Sequence, residues 1–196
     1  KSEEGLVYCN RLLTIKNDYT PNFLIFKGDF LDDLKRTKEA EEIFLYGQKE
    51  YPTNNSFYYE LGVVKMRQSK YDEAYNCFIQ SIRINPFHSA SHYQLGLMAH
   101  RHNNITATML STMFYFLCDN SSKRAKRMVG DLEKISKQEI EPDTILSASM
   151  FKDQNTFEEI ESIIRSKAAL APKYKGKTEL KYDLVKQEQL VIENIG

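Results

Sequence analysis

The sequence is poor in the residues that interrupt regular structure. It contains no tryptophan, eight glycines and five prolines in 196 residues. Gly and Pro mark turns, so their low combined number favours long elements over a turn-rich β fold. The three cysteines, Cys9, Cys77 and Cys118, form no CxxC pair and are odd in number, which excludes a zinc knuckle and a complete disulfide framework. We therefore expect a mainly helical protein with free thiols.

The chain also lacks excess charge and long apolar runs. Its 27 Lys and Arg side chains balance 27 Asp and Glu side chains, so no global charge favours nucleic acid or an anionic bilayer. No apolar run approaches the roughly 18 to 20 residues that span a bilayer. We expect a soluble protein that binds no nucleic acid. Its compartment stays open between the cytoplasm and a bacterial periplasm or cell envelope.

The sequence repeats itself at an interval of 34 residues. Gly28, Gly62 and Gly96 coincide in that register. The other matches are Glu39-Ala40 with Glu73-Ala74, Phe44 with Phe78, Pro52 with Pro86, and Leu61 with Leu95. This interval is one of the few that indicate an array of helical hairpins.

Each recurring residue type has a role in a pair of antiparallel helices. A glycine in a helix costs about 1 kcal/mol relative to alanine, so its recurrence indicates a neighbouring helix too close for a Cβ. In the first repeat, Ala40 supplies the facing small residue. Phe44 lies on the same face and is expected to fill the space between one hairpin and the next. Pro52 ends the second helix.

These residues resemble the tetratricopeptide repeat (TPR), a family with small, Leu-Gly, Tyr, Ala, Phe and Pro positions. The first copy has Leu24, Gly28, Leu31, Ala40, Phe44 and Pro52, and the second has Tyr58, Leu61, Gly62, Ala74, Phe78 and Pro86. Lys65 takes a position where the family often has an aromatic residue. Residues 3–17 resemble the second helix of a preceding repeat, and the resemblance extends to residue 119.

The third copy begins like the others and then departs from the pattern. His92, Leu95 and Gly96 match, but Thr108 and Thr112 occupy the expected Ala and Phe positions. A turn one residue shorter would return Ala107 and Met113 to the inner face, so we treat this second helix as degenerate.

The resemblance implies an all-α fold, an α-α superhelix or TPR solenoid, with additional C-terminal helices. We expect a helical repeat domain with a capping helix at 1–136 and a C-terminal helical extension at 137–196. Ser121-Ser122 offers an N-cap to the capping helix, and an apolar stripe from Ala125 to Ile135 follows it.

The family also implies a concave groove that is lined by the first helix of every repeat and binds a protein or peptide. The groove positions are Asn22, Ile25, Asp29 and Asp32; Ser56, Tyr59, Val63 and Met66; and Ala90, Tyr93, Leu97 and His100. As binding residues we predict Tyr59, Val63, Met66, Arg67, Tyr93, Leu97 and Arg101. The apolar side chains would anchor the ligand and the arginines would orient a polar group. For each aromatic, packing between helices is an equal alternative.

One TPR subclass is disfavoured by the charges in these positions. Repeats that clamp the terminal carboxylate of heat-shock chaperones use Lys, Arg and Asn at positions that are here Ile25, Asp29, Glu60, Ala90 and Gln94. Acids would repel a carboxylate, so this activity is not expected.

Catalysis has no support in the sequence. No nucleophile elbow, phosphate-binding glycine loop or Walker pattern is present. Four histidines, His88, His92, His100 and His102, lie within fifteen residues. A histidine pair alone cannot complete a four-coordinate zinc site, so we predict neither a metal nor another cofactor.

The sequence thus favours a non-catalytic scaffold that binds a protein or peptide in the concave groove. The first alternative is a structural part of a larger bacterial envelope or surface assembly. The second is a metal-dependent enzyme that uses the His88–His102 cluster. Self-association through the ends of the solenoid is a further predicted contact.

Overall fold

A computed structural model describes residues 1–15, 17–102, 104–119 and 123–125. Within these ranges the chain forms seven α-helices, a further helical segment at 123–125, and no strand. The seven helices are α1 (Ser2–Leu12), α2 (Thr20–Asp33), α3 (Thr37–Glu50), α4 (Asn55–Arg67), α5 (Tyr71–Ile84), α6 (Ser89–Arg101) and α7 (Ile105–Cys118). The all-α prediction is confirmed for this part of the chain.

The chain divides into two compact units, Lys1–Ser91 and His92–Gly196, which are considered separately below. The predicted C-terminal extension at 137–196 lies outside the described residues. So does the predicted capping helix beyond Ala125, and with it the predicted domain boundary.

In the first unit each helix packs against the next one along the chain, from α1 to α5. The helices α3 and α5 begin and end 34 residues apart, as the repeat predicts. In addition, α2 packs directly on α4, and this contact is more extensive than any among α1, α3 and α5. The first helices of the two repeats therefore form the inner row of this unit.

Glycine and phenylalanine set the spacing inside the α2–α3 and α4–α5 hairpins. A methyl group on Gly62 would lie 2.6 Å from the Phe78 ring, and one on Gly28 would collide with Phe44. Phe44 is therefore not located between hairpins, as the sequence suggested, but inside its own hairpin. The absent Cβ is what allows the ring to enter.

A second glycine contact joins consecutive hairpins. Gly47, near the end of α3, lies against the ring of Phe57 in α4. Phe57 is fully buried, so this ring fills the space that the sequence assigned to Phe44. The buried core around it consists of Leu24, Leu31, Ala40, Phe44, Phe57, Leu61 and Val64.

The turn between the two helices of a repeat has a recurring backbone geometry. Lys35 and Ser69, which are 34 residues apart, have φ angles of 64° and 60°. The amide of Arg36 donates to the Leu31 carbonyl at 2.8 Å, which closes the end of α2. The same bond recurs from Lys70 to Lys65 at 2.9 Å and from Asn104 to Ala99 at 3.0 Å.

The second helix of each of the first two repeats ends just before a proline, as the sequence predicts. Helix α3 ends at Glu50 and α5 at Ile84, each two residues before a proline, Pro52 or Pro86. The next first helix then begins with a polar cap in the second repeat, where Asn54 Oδ1 accepts a hydrogen bond from the Ser56 amide at 3.1 Å.

Helix α7, in the second unit, keeps the repeat register despite its unusual residues. Thr108 and Thr112 are buried, whereas Ala107 and Met113 are only half-buried, so the predicted shift of register is wrong. Each threonine hydroxyl donates to the carbonyl four residues earlier, at 2.7 Å. This local bond satisfies the hydroxyl and allows threonine to occupy a core position.

Candidate functional site

The inner row of the first unit presents one continuous face, which we call the α2–α4 face. It consists of Phe26, Asp29, Asp32 and Asp33 from α2 and Tyr59, Glu60, Val63, Met66 and Arg67 from α4. Within each helix the spacing of three and four residues places these side chains on one side. Asp29 interacts electrostatically with Glu60 and Arg67 on the other helix, so the two rows lie side by side.

The apolar members of this face differ in how much they are already packed. The ring of Tyr59 lies 5.8 Å from that of Phe78 and meets the His88 ring edge-on at 5.0 Å. Tyr59 therefore packs against its own repeat, which gives it a structural role whether or not it meets a ligand. Val63 and Met66 are half-buried, whereas Phe26 is 51% exposed.

Arg67 forms an ion pair with the carboxylate of Asp32. Asp32 is 4% exposed and also accepts a hydrogen bond from the Thr37 hydroxyl at 3.2 Å. The sequence placed Asp32 among the groove residues, but its carboxylate is a buried partner of Arg67. Because that partner holds the guanidinium, Arg67 is available to a ligand only through its exposed side.

Asp29 and Glu60 form a pair of partly buried acids. Burial, reinforced by Asp33, raises the pKa of Asp29 to about 6, although Arg67 opposes the shift. Burial, reinforced by Asp29, raises the pKa of Glu60 to about 8. Neither carboxyl group forms a hydrogen bond or ion pair with any residue that the structure describes. At neutral pH Glu60 is therefore mainly protonated.

Sequence reasoning missed a buried cation beside the core. Lys65 is 7% exposed, and its ammonium lies 2.7 Å from Glu41 and 2.5 Å from Glu73. Burial alone would lower the pKa of Lys65, but these two partners raise it above its usual value. The sequence feature that could have indicated this buried cation is Lys65 itself, at a repeat position where the family often has an aromatic residue. Its partners in α3 and α5 give it a structural role.

A second missed cluster joins α5 to the start of α6. Ser91 Oγ donates to Ser81 Oγ at 2.9 Å, and His88 Nδ1 lies 2.8 Å from Ser91 Oγ. Ser81 and Ser91 take the same repeat positions as Gly47 and Phe57. Between α5 and α6, the hydrogen-bonded pair Ser81 and Ser91 thus takes the place that Gly47 and the Phe57 ring have between α3 and α4.

The predicted residues of α6 lie in the second unit. The Tyr93 ring is 5.6 Å from that of Tyr115, and the guanidinium of Arg124 lies 5.6 Å from the centre of the Tyr93 ring. Leu97 is half-buried and Arg101 is exposed. Tyr93 therefore packs within its own unit. This agrees with the alternative to ligand binding given for the aromatic residues, which is packing between helices.

The histidines have packing partners of their own. His92 is 6% exposed and stacks on Phe114 with 5.1 Å between ring centres, consistent with its inward repeat position. Within the described ranges, no group of three or more His, Cys, Asp or Glu side chains is arranged to hold a metal ion. In those same ranges no helix is both long and apolar enough to cross a membrane.

Comparison with known families identifies the second hairpin. Residues 56–88, which cover nearly all of α4 and all of α5, match the model described as tetratricopeptide repeat. Comparison with curated proteins gives no match. Proteins with this repeat are generally non-catalytic scaffolds, and the match supports a role in protein–protein interaction. This match, together with the recurring helical hairpins, supports a tetratricopeptide-repeat protein.

Proposed function

We propose that the protein is a non-catalytic scaffold that binds a protein or peptide segment on the α2–α4 face. The observation that carries the proposal is the family match at 56–88, because its first helix supplies Tyr59, Val63, Met66 and Arg67. The predicted contacts of α6 are Tyr93, Leu97 and Arg101.

The physical basis is preorganisation of the binding surface. Helices held by core contacts lose little entropy when a ligand binds, so buried apolar area contributes directly to affinity. Val63 and Met66 retain surface that a ligand can cover, and Phe26 adds an exposed ring beside them. Tyr59 contributes less new area because its ring already contacts two others.

Site-specific photocrosslinking tests the location of binding. A library of displayed peptides is first selected on the intact chain, and the most enriched peptide is synthesised. Benzoylphenylalanine is then placed at Met66 in the groove or at Tyr46, which is 51% exposed on α3. We expect crosslinks from position 66 and none from position 46. Crosslinks from position 46 alone, or a folded chain that selects no peptide, would contradict the proposal.

A second candidate is a structural role in a larger bacterial envelope or surface assembly, with self-association as its simplest form. In α1, Tyr8 and Leu12 are spaced four residues apart and are 63% and 44% exposed, and Ile15, just beyond the end of this helix, is 67% exposed. These apolar side chains favour a contact through α1. Light scattering over a range of concentrations tests it. Self-association that Leu12→Glu abolishes would support this candidate, and a monomer at every concentration would exclude self-association through α1.

A further inference from the structure

The α2–α4 face combines an exposed aromatic ring with three carboxyl groups, those of Asp29, Asp33 and Glu60, that form no ion pair among the described residues. Asp33 accepts a hydrogen bond from the Ser2 hydroxyl at 3.4 Å. Phe26, Asp29 and Asp33 form a row on α2, and Glu60 and Val63 occupy the matching positions of Phe26 and Asp29 on α4. Phe26 and Asp33 are exposed, and the others are half-buried. Apolar and acidic groups thus alternate across the surface between the two helices.

The charges on this face are unbalanced. Its four acids are accompanied by one base, Arg67, which is already paired with Asp32. Asp29, Asp33 and Glu60 are left without an ion pair among the described residues. Burial is the main cause of the raised pKa values of Asp29 and Glu60, and repulsion by Asp33 on Asp29 and by Asp29 on Glu60 adds to it. A positive group brought between Asp29 and Glu60 would offset both effects by favouring the ionised acids.

We propose that the α2–α4 face binds a cationic segment of a partner protein, in which a Lys or Arg side chain lies between Asp29 and Glu60 while a neighbouring apolar side chain contacts Phe26 and Val63. This inference rests on the proposed function, since it names the chemistry of the ligand for that same surface. Charge complementarity selects the ligand, and the apolar contacts add affinity.

A basic side chain suits this surface better than the other ligands of the same charge. A lysine or arginine has an apolar stem that can cover a ring while its head reaches a carboxylate. A metal ion would need several convergent ligands, and the described residues contain no such group. An acidic segment would be repelled, in agreement with the sequence argument against a carboxylate clamp.

Binding of a cation has a measurable proton signature. In the free protein Glu60 is mainly protonated at neutral pH, and Asp33, Arg67 and Asp29 are the charged groups that act on this acid pair. A bound cation favours the ionised form of both acids, so binding releases protons. Affinity for a cationic peptide is therefore expected to rise between pH 6 and pH 8.

The peptide selection described above, performed on the intact chain, also tests this inference. We expect Lys and Arg to be enriched, and Asp and Glu depleted, relative to the starting library. The double variant Asp29→Asn with Glu60→Gln should bind the most enriched peptide about tenfold more weakly. It should also lose the rise of affinity with pH. Because this variant removes repulsion, it is expected to fold.

A matched control removes the same charge elsewhere in the first unit. Glu42 and Glu50 are exposed on α3 and have no ion pair or hydrogen bond from their side chains in the described chain. Glu42→Gln with Glu50→Gln should leave both affinity and its pH dependence unchanged. Equal weakening by the two double variants would indicate a general charge effect and would overturn the inference.

The outcomes separate this inference from the proposed function. Selected peptides without Lys or Arg that still crosslink to position 66 would overturn the cationic ligand and leave groove binding in place. If cationic peptides are selected but bind the double variant Asp29→Asn with Glu60→Gln as tightly as the parent, the cation does not lie between Asp29 and Glu60. The same conclusion follows if their affinity does not rise with pH. A folded chain that selects no peptide would overturn both.

Discussion

At the scale of single residues, glycine limits the distance between paired helices. Alanine in place of Gly62 would stabilise an isolated helix by about 1 kcal/mol. In this protein its Cβ would lie 2.6 Å from Phe78, a fully buried ring, so overpacking should dominate. We predict that Gly62→Ala lowers the free energy of unfolding by about 1 to 3 kcal/mol in urea titrations.

Phe78 provides the control for this prediction. Phe78→Leu shortens the side chain that occupies the space above Gly62, so Gly62→Ala should be much less harmful in that background. If Gly62→Ala were stabilising in the parent chain, helix propensity would outweigh the contact and the assigned packing would be wrong.

Glu60 should give the protein an unusual dependence of stability on pH. Its pKa is about 8 in the folded chain, compared with an ordinary value of 4.5, so the folded state holds the proton more tightly. Stability from this group is therefore lost as pH rises from about 5 to 8, at up to about 1.4 kcal/mol per pH unit. Asp29 adds a smaller effect of the same sign at lower pH.

The variant Glu60→Gln isolates this effect, because other acids, such as Glu41, have a lowered pKa and act in the opposite direction. In urea titrations, the variant should gain stability relative to the parent as pH rises from 5 to 8. A constant difference between the two proteins across that range would contradict the environment described for Glu60.

At the scale of helices and turns, the connections inside the first two repeats each contain a residue other than glycine in the left-handed conformation, Lys35 and Ser69. Ser69 has a φ of 60°, which is unfavourable for a residue with a Cβ. We predict that Ser69→Gly raises the free energy of unfolding by about 0.5 to 1 kcal/mol, measured in urea, because relief of the left-handed strain outweighs the entropic cost of glycine. Lys70, with a φ of −90°, is the control. If Ser69→Gly destabilised the chain as much as Lys70→Gly, the turn would not be strained.

Sequence periodicity predicts the parts of the fold that repeat locally. The positions of Gly28 and Gly62, and the helix ends before Pro52 and Pro86, follow from contacts within one hairpin or from the backbone itself. The register of α7 was mispredicted because a threonine hydroxyl can bond to its own helix, which a pattern of apolar residues does not reveal.

Polar contacts between helices were harder to predict. The ion pair of Lys65 with Glu41 joins residues that are 24 positions apart, and nothing in either local sequence specifies the other. The same holds for Arg67 and Asp32, which the sequence assigned to a groove surface and not to one another. The apolar binding residues of α4 and α6 stay predictions because exposure alone does not identify a ligand.

At the scale of the whole molecule, the proposed role is that of a scaffold, which needs packed helices and an accessible surface. The TPR match at 56–88 and the direct packing of α2 on α4 support a scaffold whose inner helices meet the ligand. In the second unit, the predicted binding residue Tyr93 of α6 already has aromatic and cationic neighbours. The part of α6 in binding is therefore expected to depend more on Leu97 and Arg101.

Hydrogen exchange of the intact chain, with and without the most enriched library peptide, tests the central claim most directly. Exchange reports which segments a ligand stabilises, whatever the identity of that ligand. The account predicts slower exchange in α2 and α4, at Thr20–Asp33 and Asn55–Arg67, with little change in α3. Slower exchange confined to α3 and α5, or no change in α2 and α4 on binding, would contradict it.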